Sequence, residues 1–218
     1  MWEQLLLTTP DDPQVLLDYA QFLHRHGDRE RAEQLFERCV EVAGNETSLR
    51  VRRADVFFRL GRISDTVADL ERAHALSPHV AWVLDQLGRN RVVAGQLTEA
   101  ADELKAAWQM NPRNHIQAYH LSTLLLQIDD FSGYEELRQE MLRRWEDSTI
   151  PAIAERTTKV CLLRPAPLPF VEKLDRLMQS TREVDSSHPF FGPFLLGRGM
   201  LEYRYGEALL TEQDKSAA

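Results

Sequence analysis

Lysine is nearly missing from this sequence. Of 26 basic residues only Lys105, Lys159, Lys173 and Lys215 are lysine, and the rest are arginine. Against 34 acidic residues this leaves a net charge of -8. Nucleic-acid binding normally requires a basic excess, so the balance argues against that class of partner. Cysteine is scarce too. Cys39 and Cys161 stand far apart, with no Cys-x-x-Cys pair and no Cys/His metal spacing, which reads as two reduced thiols of a cytoplasmic protein. Ten glycines and ten prolines are few for an all-β sandwich, which spends such residues on its turns. No apolar run approaches the roughly 20 residues that cross a bilayer. The start, Met1 to Leu7, lacks a basic segment followed by a long apolar core. The expectation is a soluble cytoplasmic product with no membrane segment.

The signatures of catalysis are also missing. There is no His-Glu-x-x-His, and His24/His26 and His115/His120 are spaced so that a helix splits each pair between faces. Glu30, Glu33, Glu37 and Glu41 form one helical stripe, as a solvated face does. No serine or cysteine has a recognisable activating partner. We therefore expect no metal, no cofactor and no catalytic residue, and read the chain as a non-enzyme.

What the sequence does contain is a core and a repeat. Hydrophobic residues are 43% of the chain and charged residues 28%, enough apolar surface to fold. At a shift of 34 the chain aligns with itself: Gly27, Gly61 and Gly95; Ala20, Ala54 and Gly88; Cys39, Ala73 and Ala107; Phe36, Leu70 and Leu104; Gly44, Pro78 and Pro112. Each type has a physical reason. Small residues let two antiparallel helices approach. Glycine accepts the left-handed conformation after a helix end. Proline stops the second helix. Apolar residues between these marks fall at helical spacing, as Leu16, Tyr19 and Leu23 do, then Leu35, Phe36 and Val40.

This period and this order of residues resemble the tetratricopeptide repeat, a pair of antiparallel helices A and B. The resemblance implies an all-α fold, a right-handed superhelical solenoid of helix-turn-helix units. The units span 13–46, 47–80 and 81–114, followed by a degenerate unit at 115–148, where Asp129 replaces the inter-helix glycine. Residues 1–12 read as the remnant of a preceding helix B, since Pro10 lies 34 before Gly44. Residues 149–184 read as a further helix pair, and 185–218 as a terminal helix and tail.

In the second half, Ser132 and Glu135 have the spacing of a capping box, and helical patterns run to about Trp145, from Ile153 to Leu163, from Phe170 through Met178, and to Tyr205. Gly206 to Leu210 is too short for a full closing helix, and Gln213 to Ala218 reads as a frayed tail. Ala154-Glu155-Arg156-Thr157-Thr158-Lys159-Val160-Cys161-Leu162-Leu163, after Tyr134 to Leu142 and before Gly199-Met200-Leu201-Glu202-Tyr203-Arg204-Tyr205-Gly206, is similar to the helical C-terminal repeat region of certain bacterial serine/threonine kinases. No Gly-rich phosphate loop, His-Arg-Asp or Asp-Phe-Gly is present, so this resemblance implies a helical appendage and not the activity.

In the repeat family the A helices line one concave groove, which implies a protein or peptide partner. Counting from each unit's start, the groove set is Ser48, Val51, Asp55 and Phe58; then Trp82, Asp85, Arg89 and Val92; then Ile116, Tyr119, Thr123 and Leu126. Phe58, Trp82 and Tyr119 could form a pocket for an apolar side chain, or the groove is filled by the chain's own later helices. The same register puts Arg50 and Arg53 on the core side. The carboxylate clamp of heat-shock chaperone-type repeat domains is absent, because Gln14 and Asp18 occupy its first-helix positions. The arginines at 50, 52, 53, 59, 62, 89 and 91 read as a solvated face paired with Asp55, Asp65, Asp69 and Asp85. Two alternatives stand beside the scaffold reading. One is a docking region cut from a larger kinase-like enzyme. The other is an RNA-processing module, since Tyr19-Ala20-Gln21-Phe22 and Phe36-Glu37-Arg38 are similar to half-a-tetratricopeptide repeats. Exposed end repeats also offer a route to oligomers.

Overall fold

The structure, a computed structural model, describes residues 2–44, 46–182 and 184–217, with side chains described through Ala208. The described residues form helices and turns, with no strand among them. The chain divides into two compact units, one ending at Met110 and the other beginning at Asn111.

The first unit opens with α1 (Trp2–Thr8) and continues as three helix pairs: α2 (Pro13–Arg25) with α3 (Arg29–Ala43), α4 (Thr47–Arg59) with α5 (Ile63–Leu76), and α6 (Ala81–Val93) with α7 (Leu97–Met110). The second unit holds α8 (His115–Gln127), α9 (Phe131–Trp145), α10 (Pro151–Leu162), α11 (Leu168–Met178), a 3₁₀ turn (Gln179–Thr181) and α12 (Phe191–Ala217).

The turn between the two helices of a pair is the same object four times. Gly27, Gly61 and Gly95 take φ of 91°, 74° and 78°, and Asp129 takes 59°. In each turn the residue after the left-handed one donates back to the carbonyl five before it: Asp28 to Leu23 (3.0 Å), Arg62 to Phe57 (2.9 Å), Gln96 to Arg91 (2.9 Å) and Asp130 to Leu125 (2.8 Å). These six-residue bonds satisfy the last carbonyls of helix A. Asp129 thus does a glycine's work at some conformational cost.

Small residues close the pairs. Ala20, Ala32 and Cys39 are fully buried between α2 and α3, and the Cys39 thiol donates to the Pro13 carbonyl at 3.3 Å. A Cβ built on Gly88 would lie 2.7 Å from Leu104 Cγ and 3.1 Å from the Ala100 carbonyl oxygen, so α6 and α7 touch where only hydrogen fits. The fourth pair breaks this rule. Tyr134 stands 34 residues after Ala100 and Arg138 stands 34 after Leu104. Tyr134 is fully buried, and its hydroxyl donates to the Val160 carbonyl at 2.8 Å. Arg138 donates to the Pro165 carbonyl at 3.1 Å and lies 5.3 Å from the Phe170 ring centroid. The loss of the repeat signature there exchanges a close helix pair for side chains that reach the following helices.

Two expectations change. The cap of α9 is Asp130, whose carboxylate accepts from the Gly133 N–H at 2.9 Å. Ser132 lies inside the helix, and Glu135 pairs with Arg138 at 2.7 Å. The capping-box reading fails because the chain is already helical at Phe131, one residue after the tight turn. Second, α12 does not stop near Gly206 but continues to Ala217 as one helix of 27 residues, so the frayed tail is helical in the described residues. Glycine weakens a helix without forcing it to end. As the sequence pattern implies, α10 opens at Pro151, where a missing N–H costs nothing. No helix among the described residues is long and apolar enough to cross a membrane.

Candidate functional site

The groove positions lie on α4 and α6 in the first unit and on α8 in the second. In the first unit Phe58 and Trp82 are half exposed, at 45% and 49%. Asp55 and Arg89 are exposed, and Val92 is partly covered. Asp85 is mostly covered, and its Oδ2 accepts from Arg89 Nε at 3.0 Å. Its Oδ1 is buried and meets no donor among the described residues.

Val51 does not belong to this surface. It is 6% exposed and packs in the core with Ala54, Val67, Leu70, Val83 and Leu87. The reason is periodic. Val51, Asp85 and Tyr119 share one repeat position, and all three are more covered than Asp55, Arg89 and Thr123 one turn on. In the second unit Ile116 is 45% exposed and Thr123 is exposed, with its hydroxyl bonded to the His120 carbonyl at 3.0 Å. Tyr119 and Leu126 are partly covered. The Lys159 ammonium from α10 sits 5.1 Å from the Tyr119 ring centroid. That ring already has a cationic neighbour inside its own unit. Among the described residues no ring-to-ring contact joins Phe58 to Trp82.

Arginines hold the A helices of the first unit in place. Arg53 grips Asp69 with two bonds of 2.5 Å, and Arg50 adds a third at 3.2 Å. Asp69 is 3% exposed, so these are charges inside the α4–α5 pair and not on a solvated face. Arg53 also donates to the Phe36 carbonyl at 3.0 Å, tying the second pair to the first. Arg62 bonds Glu33 of the first pair and Asp65 of its own, while its guanidinium lies 4.3 Å from the Phe57 ring centroid. Arg91 links Glu71 of α5 (2.5 Å) to Glu103 of α7 (3.1 Å). The planar guanidinium suits such sites because it forks to carboxylates, stacks on rings and desolvates more readily than an ammonium. This accounts for the use of arginine at these inter-repeat positions. Counting residues put Arg50 and Arg53 correctly on the inner side; their partner Asp69, assigned to a solvated face, is the buried member that compensates them.

Burial raises the Glu103 carboxyl to about 7, with Glu71, Glu99 and Asp102 adding to the effect and Arg91 opposing it. Both thiols are unpaired and buried, and burial pushes Cys39 up to about 11 and Cys161 upward as well, so neither is a thiolate near neutrality. Among the described residues no group of three or more His, Cys, Asp or Glu could hold a metal ion.

Repeated helix pairs, one left-handed turn per pair and small residues at the close approaches define the tetratricopeptide-repeat fold. No protein-family model matches the chain. Solved structures with this fold do. YrrB, described as a tetratricopeptide-repeat protein with an unusual peptide-binding site, superposes with a TM-score of 0.54 at 13% identity, over 91% of this chain and 97% of that one. PilF of Pseudomonas aeruginosa gives 0.56 at 12% identity, over 91% and 86%. MamA of Desulfovibrio magneticus RS-1, residues 41 to the end, gives 0.51 at 22% identity, over 67% and 84%. At these identities the likeness concerns the fold.

Proposed function

We propose that this chain is a non-catalytic scaffold that holds a peptide or protein segment against the A-helix face of its first unit. The observation that carries the reading is the pair Phe58 and Trp82. Both are large rings left about half exposed, on neighbouring A helices, while the core beneath them is complete without them. Exposed aromatic rings are the usual anchors of interfaces, because they bury much area for little lost side-chain freedom. Exposed Asp55 stands three residues before Phe58 and exposed Arg89 seven after Trp82, so the ligand that fits is an extended segment with an apolar or aromatic side chain and flanking charge. The fold supports this reading, since YrrB carries a peptide-binding site on the same kind of scaffold. Tyr119, Thr123 and Leu126 occupy the corresponding positions on α8 and form a second set that can be tested separately.

The test is a random peptide library selected on the immobilised full chain. Enriched peptides should share an apolar or aromatic anchor. Their affinity should fall at least about tenfold with Phe58→Ala or Trp82→Ala. Both variants should stay folded, because each ring is about half exposed and lies outside the core clusters. Equal affinity for the wild type and both variants would remove the α4–α6 face as the site.

A further inference from the structure

The last helix has two apolar sides. Phe194, Leu201 and Ala208, seven residues apart, are buried in the second unit. The opposite side carries Gly192, Gly199 and Gly206, also seven apart, with Leu195, Leu196 and Tyr203 between them, exposed at 48%, 57% and 65%. A helix with one buried side should be polar on the other. The glycines compound the anomaly, because each weakens a helix relative to alanine. Gly197 has a reason in its own unit: a Cβ there would lie 3.2 Å from Met178 Cε. For Gly192, Gly199 and Gly206 a Cβ would meet nothing within 4 Å. Among the described residues nothing calls for them.

We propose that this face of α12 is a self-association site, where α12 of a second copy packs antiparallel across it with Gly199 at the two-fold axis. The spacing selects this occupant. A two-fold interface must be complementary to itself. Its centre is symmetric about Gly199, with Gly192 and Gly206 each seven residues away and Leu195 and Tyr203 each four away, while Leu196 falls level with the second copy's Glu202 at the edge of the seam. Antiparallel pairing therefore sets glycine against glycine at three levels and Leu195 against the partner's Tyr203. The glycines let the backbones approach, and the side chains between them fill the remaining space. A strict seven-residue repeat is also the spacing that keeps one seam facing a partner helix.

Charge agrees with the same register. Arg198 and Glu202 lie on one flank of the stripe, and like flanks meet in an antiparallel pair. Arg198 then stands about two residues, roughly 3 Å along the axis, from the level of the partner's Glu202. Glu202 is exposed and Arg198 is partly exposed. An interface of this length is small, under about 1,200 Å², so the dimer is reversible and depends on concentration.

Sedimentation equilibrium of the full chain over a concentration series tests this. The wild type should shift from monomer toward dimer. Gly199→Gln should stay monomeric, while its circular dichroism keeps or gains helix, because glutamine is the better helix former. Cysteine variants test the register, both native thiols being buried. Under oxidation Gly199→Cys should cross-link to itself. Gly192→Cys should not, but should cross-link when mixed with Gly206→Cys. A wild type that stays monomeric throughout, a dimer that survives Gly199→Gln, or self-cross-linking of Gly192→Cys would overturn the proposal. Trp82→Ala should leave all these results unchanged, which separates this face from the peptide site.

Discussion

Replacing Asp69 with alanine should cost far more than the loss of an ordinary ion pair. The Asp69 side chain is 4% exposed and faces two guanidinium groups, Arg53 at 14% and Arg50 at 16%. Removing it leaves both cations in a poorly solvated pocket and opens a small cavity. Breaking a buried pair from one side costs about 3–5 kcal/mol, because the remaining charge is uncompensated. A typical domain is stable by only about 5–15 kcal/mol. With a urea slope near 2 kcal/mol/M, the midpoint should fall by roughly 1.5–2.5 M. Trp2, Trp82 and Trp108 lie in the first unit and Trp145 in the second. Fluorescence in a Trp145→Phe background therefore follows the unit that contains Asp69. The double variant Asp69→Leu with Arg53→Met should recover most of the loss, since a well-packed apolar pair often replaces a buried ionic one at little cost. A loss under about 1 kcal/mol for Asp69→Ala would refute the reasoning, because it would place the three groups in water despite their burial.

The other predictions concern single positions. Gly88→Ala should destabilise the first unit by about 1–2 kcal/mol in urea unfolding, since the Leu104 clash outweighs the gain in helix propensity. Asp129→Gly should raise stability by about 0.5 kcal/mol, and Gly95→Asp should lower it, because both positions require positive φ. Glu103 binds its proton more tightly folded than unfolded, so its contribution is fully present below its unfolded value and falls as pH rises toward about 7. Thermal melting of wild type against Glu103→Gln should therefore show the variant gaining relative stability between pH 5 and 8. A constant difference across that range would show that the carboxyl titrates normally.

The second-half outcomes show how far local signals reach. Ser132 with Glu135 looked like a cap, yet the chain had already entered its helix after the Asp129 turn, and Asp130 took the role. Asp12, Asp28 and Asn114 cap α2, α3 and α8 in the same way, each accepting an N–H two or three residues on. Aspartate and asparagine just before a helix carried that signal in plain view. Tyr134 and Arg138 were legible only as departures from the repeat. Their partners, Val160 and Pro165, are more than 25 residues away, beyond any periodic pattern.

The 34-residue period by itself determined the helices of the first three pairs, their left-handed turns and their small-residue contacts, because each of these is settled within one pair and recurs with the sequence. It also placed Phe58 and Trp82 on the A-helix face. Only the tertiary structure decided that Val51 is core, that the arginines are inter-repeat clasps around a buried Asp69, and that α12 leaves an apolar side uncovered. Those outcomes depend on which element packs against which. Burial is a property of the neighbour, and the neighbour is not written in a residue's own spacing.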